Sequence, residues 1–160
     1  MKKLITAIFA ACVCLTAFAF AGCTDANENV KRTKIDEQTS VIFTASDDVL
    51  TIDENTTVKD YLDALQKNGE LSFEGSDGDY GFFLTSFDGK ENQVISVSPY
   101  EGYSWMLYLD FTELDGTIYA TDYSVCEYEG KTLYSASYGV SGIPCVEGHT
   151  YAFVYEYYKY

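Results

Sequence analysis

Nine residues near the end of the chain, Thr150 to Tyr158, leave little choice of secondary structure. Tyr151, Phe153, Tyr155 and Tyr157 alternate with Ala152, Val154, Glu156 and Tyr158, a period of two that an extended strand sorts onto two faces. Ser104 to Phe111 repeats the pattern, with Trp105, Leu107, Leu109 and Phe111 on one side against Met106, Tyr108 and Asp110. Such runs require a sheet, and the rest of the sequence offers partners for them. Tyr80 to Phe87 is a β-rich run ending in the turn pair Asp88-Gly89, and Thr117–Tyr123 with Lys131–Ser137 reads as a hairpin around Glu129-Gly130. Val41–Thr44 and Val49–Ile52, separated by Ala45-Ser46-Asp47-Asp48, read as a further hairpin.

One segment has the helical period instead. Val58, Tyr61, Leu62 and Leu65 recur at i, i+3, i+4 and i+7, with Thr56 or Thr57 to cap the start and Asn68-Gly69 to stop the end. A hairpin, a helix and then several strands predict an α+β domain over residues 41–160: a β-grasp-like mixed sheet with one covering helix. A sandwich with one peripheral helix is compatible with the same order.

The beginning of the chain is of another kind. Lys2 and Lys3 precede an apolar run from Leu4 to Ala21, which reads as an export signal. Ala21-Gly22-Cys23 resembles the lipobox of bacterial lipoproteins, with Phe20 in place of the usual aliphatic residue at its start. The expected arrangement is a lipoprotein signal peptide over 1–22 and a lipidated Cys23, with a polar tether completing 23–40. Two acyl chains suffice for stable anchoring, and a coil of that length reaches roughly 20 Å. The expected location is therefore the outer face of the cell membrane.

Removing residues 1–22 leaves 8 basic and 25 acidic side chains, a net charge of −17. Such a surface repels phosphate, which disfavours nucleic acid as a partner. All aromatic residues except Phe9, Phe18 and Phe20 lie after residue 40, so the mature chain is rich enough in apolar surface to fold. Of five cysteines, Cys12 and Cys14 leave with the signal and Cys23 is the acylation site. That leaves Cys126 and Cys145 as a candidate disulfide in an exported chain, or as two separate thiols.

Little in the sequence points to catalysis. His149 is the one histidine and has no identifiable partner, and no pair stands out among the many carboxylates. Gly75-Ser-Asp77-Gly-Asp79 offers two carboxylates in a glycine-rich stretch, but it does not complete a calcium loop and reads as a solvated turn. The candidate ligand contacts are aromatic: Tyr80 and Phe82 in one strand, and Tyr100, Tyr103 and Trp105 at the entry to another. Trp105 also alternates with Leu107 and Leu109, which is the pattern of a core residue.

Several strings taken together resemble the transcobalamin-like C-terminal domain family: Thr57-Val58 with Tyr61-Leu62, Tyr80 through Gly89, Trp105-Met106-Leu107-Tyr108, Gly139-Val140-Ser141, and Val146-Glu147-Gly148 with Thr150 through Phe153. The family is common among exported lipoproteins of Gram-positive bacteria. The resemblance implies a β-grasp of the soluble-ligand-binding type, and the absence of a catalytic constellation makes a non-enzymatic module the expectation. The chain departs from the family at His149, where Asp is usual, and in a long insertion over 110–134. The expected function is a cell-surface binding domain for a small planar or corrinoid-type ligand, with no metal or cofactor assigned. The alternative is a protein-interaction or adhesion module that uses the Tyr-rich last strand as an exposed edge.

Overall fold

The computed structural model describes residues 31–33, 35 and 39–160. Cys23 and the leader lie outside the described residues. In chain order the elements are β1 (Lys31–Thr33), β2 (Ser40–Thr44), α1 (Val58–Lys67), β3 (Phe73–Gly78), β4 (Gly81–Phe87), β5 (Lys90–Glu91) and β6 (Gln93–Val97). They continue with β7 (Tyr100–Leu109), β8 (Glu113–Leu114), β9 (Thr117–Ile118), β10 (Ala120–Tyr128), β11 (Lys131–Ala136), a 3₁₀ turn (Val140–Gly142) and β12 (Thr150–Lys159).

The main sheet has the order β1-β10-β11-β7-β12-β2, and β6 adds to the N-terminal half of β7. Strands β3, β4 and β5 form a second, antiparallel sheet, and β8 with β9 forms a small hairpin. The domain is therefore mostly β, with a single α-helix among the described residues. This corrects the expected α+β, β-grasp-like sheet.

The hairpin expected over residues 41–52 does not form. Val49–Ile52 does not pair with β2, because side chains in the intervening turn capture the backbone donors: Ser46 Oγ accepts from Asp48 N at 3.2 Å and Asp47 Oδ1 from Ile52 N at 2.9 Å. Strand β2 pairs instead with β12, Thr44 opposite Thr150 through Ser40 opposite Val154. The last strand is thus flanked by β7 and β2 along its first half, and is not the edge it was expected to be.

Three further segments differ from expectation. Gly75–Gly78 belongs to β3, paired with β4, and is not a free turn. The segment read as an insertion, 110–134, supplies β10 and most of β11, two strands of the main sheet. Lys31–Thr33, inside the expected tether, runs parallel to β10.

The helix forms as its pattern predicts. Thr57 caps it in a reciprocal capping box with Asp60, and Val58, Tyr61, Leu62 and Leu65 are buried. They pack with Phe87, Leu107, Leu109, Tyr151 and Phe153, so the alternation in β7 and β12 turns Leu107, Leu109, Tyr151 and Phe153 toward the helix. The alternate residues, Tyr108, Ala152 and Val154, form a second cluster on the other face with Cys126 and Leu133. Ile35, from the short step between β1 and β2, packs against it.

The two clusters also settle the cysteines. Cys126 lies in the second and Cys145 in the first, on opposite sides of the main sheet, and both are free thiols. The candidate disulfide is not formed.

Candidate functional site

Three irregularities in the main sheet converge on one place. Strand β11 pairs with β7 through Tyr134–Leu109 and Ser135–Tyr108 alone, after which the two strands part. Strand β10 carries a wide bulge: Thr121 faces Ser135 and Val125 faces Tyr134, so Asp122, Tyr123 and Ser124 have no counterparts on β11. Strand β12, for its part, runs on beyond its pairing with β2 to Lys159. Bulges of this kind re-aim side chains and recur beside binding sites.

The result is a cleft of about 440 Å³. Tyr123, Tyr158, Tyr160 and Met106 supply its apolar surface, while Thr121, Ser124, Ser135, Ser137 and Glu156 supply polar groups. Its floor is tied down. Tyr108, fully buried, donates to Glu156 Oε1 at 2.6 Å and meets Ser124 Oγ at 2.9 Å. Tyr158 stacks between Tyr100 at 5.4 Å and Tyr160 at 5.7 Å, which fixes the aromatic wall. Tyr123 is 69% exposed and forms the opposite rim. Lys159 also borders the cleft, and its ammonium lies 3.1 Å from Glu101. Hydrogen bonds from Tyr157 and then Lys159 hold the Glu101 carboxyl below its usual range.

A narrow recess of about 80 Å³ adjoins the cleft. Phe82, Leu84, Trp105, Leu107, Val140 and Phe153 line it, and Met106 and Ala136 line both spaces. Trp105 is fixed there by a bond from Nε1 to the Lys90 carbonyl at 2.8 Å and by packing on Phe87.

The five predicted ligand residues are thus dispersed. Phe82 and Trp105 line the narrow recess. Tyr100 supports the cleft from behind Tyr158, Tyr103 stacks on Tyr155 at 5.6 Å, and Tyr80 sits exposed beside the β3–β4 turn. Sequence reasoning missed Thr121, Tyr123, Ser124, Ser135 and Glu156. A bulge and a strand departure bring these together, and neither leaves a periodic trace in sequence.

His149 has a partner that the sequence did not reveal. Its Nδ1 is 2.7 Å from Asp110 Oδ1, while Asp110 Oδ2 accepts from Lys131 Nζ at 3.0 Å and from Thr150 N at 3.1 Å. Burial opposes ionisation of Asp110, but the bonds from His149, Lys131 and Thr150 outweigh it and leave its carboxyl below the usual range. The cluster joins the ends of β7, β11 and β12, and no hydroxyl or thiol nucleophile bonds to the imidazole among the described residues. Burial pushes both the Cys126 and Cys145 thiols up to about 12, which leaves them protonated and poorly nucleophilic at neutral pH. Compared with known proteins, the chain matches no family model, no curated protein and no solved structure.

Proposed function

We propose that the chain is a lipid-anchored, exported binding domain that takes a small planar ligand in the cleft between Tyr123 and Tyr160. The observation that carries the reading is the cleft itself: about 440 Å³, within the range of small-molecule sites, with aromatic walls and hydroxyls convergent on a fixed floor. Aromatic rims suit a flat ligand, and the polar floor suits one bearing hydrogen-bonding edges. A corrinoid, with its macrocycle and axial groups, is too bulky to enter and would rest on the rim. Anchoring through Cys23 follows from the sequence pattern, and its test is the intact mass of the mature protein.

The experiment for the binding reading is a titration of the full-length chain with planar heteroaromatics, haem and corrinoids, followed by NMR. Shifts at Tyr123, Ser135 and Tyr160 are the expected result, and a cleft silent to the whole series refutes it.

A second reading, a protein-interaction module, is favoured by β6. This strand pairs only with β7 among the described residues and exposes Val94, Ile95 and Val97, the last at 80%. Deletion of binding to a partner protein by Val97→Lys, with the cleft untouched, is the outcome that reading requires.

A further inference from the structure

The narrow recess and the cleft come together where β7 and β11 part. Strand β11 leaves β7 after Ser135, so beside Trp105 and Met106 no β11 backbone continues the ladder. The two spaces lie on opposite faces of the main sheet, and Met106 and Ala136 line both. Ala136 contributes a single methyl group. Met106 is unbranched, with three soft torsions, and is the kind of side chain that rearranges at low cost. The surroundings differ sharply on the two sides: Phe82, Leu84, Trp105, Leu107, Val140 and Phe153 in the recess, hydroxyls and Glu156 in the cleft. An apolar recess of this sort holds hydrocarbon better than water.

We infer that the ligand is an amphiphile, a flat polar body seated in the cleft with a short apolar arm passing Met106 and Ala136 into the recess beside Trp105. This inference rests on the cleft being the binding site. The recess sets the arm's length. At about 80 Å³ against about 440 Å³ for the cleft, it is the smaller space and takes a short arm. Met106 and Ala136 then determine specificity, because they decide how long an arm can pass.

The sequence provides two built-in reporters. Trp105 is the chain's single tryptophan, and Met106 is one of only two methionines, the other being Met1. The probes are the methyl, ethyl, propyl, butyl and hexyl esters of 4-hydroxybenzoic acid, titrated into the full-length chain with Trp105 fluorescence and the methionine methyl resonances observed together. The expected result is an affinity gain of about fourfold per methylene up to the propyl or butyl ester, then a plateau or loss at hexyl. The Met106 methyl and Trp105 emission should respond to the longer esters and much less to the methyl ester.

Ala136→Leu, which adds bulk where the two spaces share a lining residue, should flatten the series, each variant's affinities being read relative to its own methyl ester. Met106→Ile, a stiffer side chain of similar volume, should weaken the longer esters if Ala136→Leu does not fold. Methyl-ester shifts at Tyr123 and Ser135 without any gain along the series overturn the arm and leave the cleft reading intact. Silence of both Met106 and Trp105 toward every ester also overturns the arm, whereas the cleft reading falls only when the planar-ligand titration is silent too.

Discussion

Replacing Asp110 tests the best-connected polar group in the described fold. Its side chain is 10% exposed and takes three donors, His149 at 2.7 Å, Lys131 at 3.0 Å and Thr150 N at 3.1 Å. In Asp110→Ala the Thr150 N–H loses that acceptor on a residue only 2% exposed, which costs about 1–3 kcal/mol. The lost bond to the His149 ring, a third exposed, adds about 1 kcal/mol, and the half-exposed Lys131 pair adds less than about 1 kcal/mol. The sum is about 2–5 kcal/mol, a drop of roughly 1–3 M in the urea midpoint.

The pH dependence fixes the cause. The folded Asp110 carboxyl lies below the unfolded value of about 3.9, so its contribution is complete at neutral pH and is lost as pH falls through the folded value. Urea titrations of wild type and Asp110→Asn should therefore differ at pH 7, and by less at pH 3. An Asp110→Asn deficit of equal size at both pH values refutes the electrostatic account. An Asp110→Ala variant within about 0.5 kcal/mol of wild type refutes the network altogether.

Tyr151→Phe should cost about 1.5–3 kcal/mol in the same assay, because the buried hydroxyl donates to the Pro144 carbonyl at 2.9 Å and accepts from Val146 N at 2.8 Å. Iodoacetamide at pH 8 should spare Cys126 and Cys145 in the native protein and label both in urea, as peptide mass mapping will show; rapid native labelling contradicts their burial. Gly102→Ala should cost about 1–3 kcal/mol and speed amide exchange across Val94–Val97 before α1, since its Cβ would meet the Gln93 carbonyl and come within 2.7 Å of the Tyr158 hydroxyl. Unchanged exchange in β6 would show that the strand tolerates the methyl group.

What the sequence made legible is what repeats locally. The period of two in β7 and β12 correctly parted Leu107 from Tyr108 and Tyr151 from Ala152, and the structure shows Leu107 and Tyr151 on the helix side. The 3.6 period of α1 and its Thr57 cap were likewise readable, as was the Glu129-Gly130 turn, where both residues take positive φ. Pairing at a distance was not. Val41–Thr44 is β-prone in any setting, but its partner is β12, while Asp48 N and Ile52 N bond to Ser46 and Asp47 within the turn. The cleft was illegible for a related reason. Tyr123 ends the strand read over Thr117–Tyr123 and Ser124 lies just past it, and nothing in that run marks the bulge that leaves both unpaired with β11. Asp110 was counted as a strand-face residue, and its partnership with His149 spans 39 positions.

The central claim is that the cleft at the β10 bulge is where this domain recognises its ligand. The most direct measurement is chemical-shift mapping of the full-length chain against a panel of planar heteroaromatic ligands, with Tyr123→Ala as control. The account predicts saturable shifts confined to Met106, Tyr123, Ser135 and Tyr160, weakened at least fivefold in the variant. Shifts centred on Val94–Val97, or binding unaffected by loss of the Tyr123 ring, would contradict it.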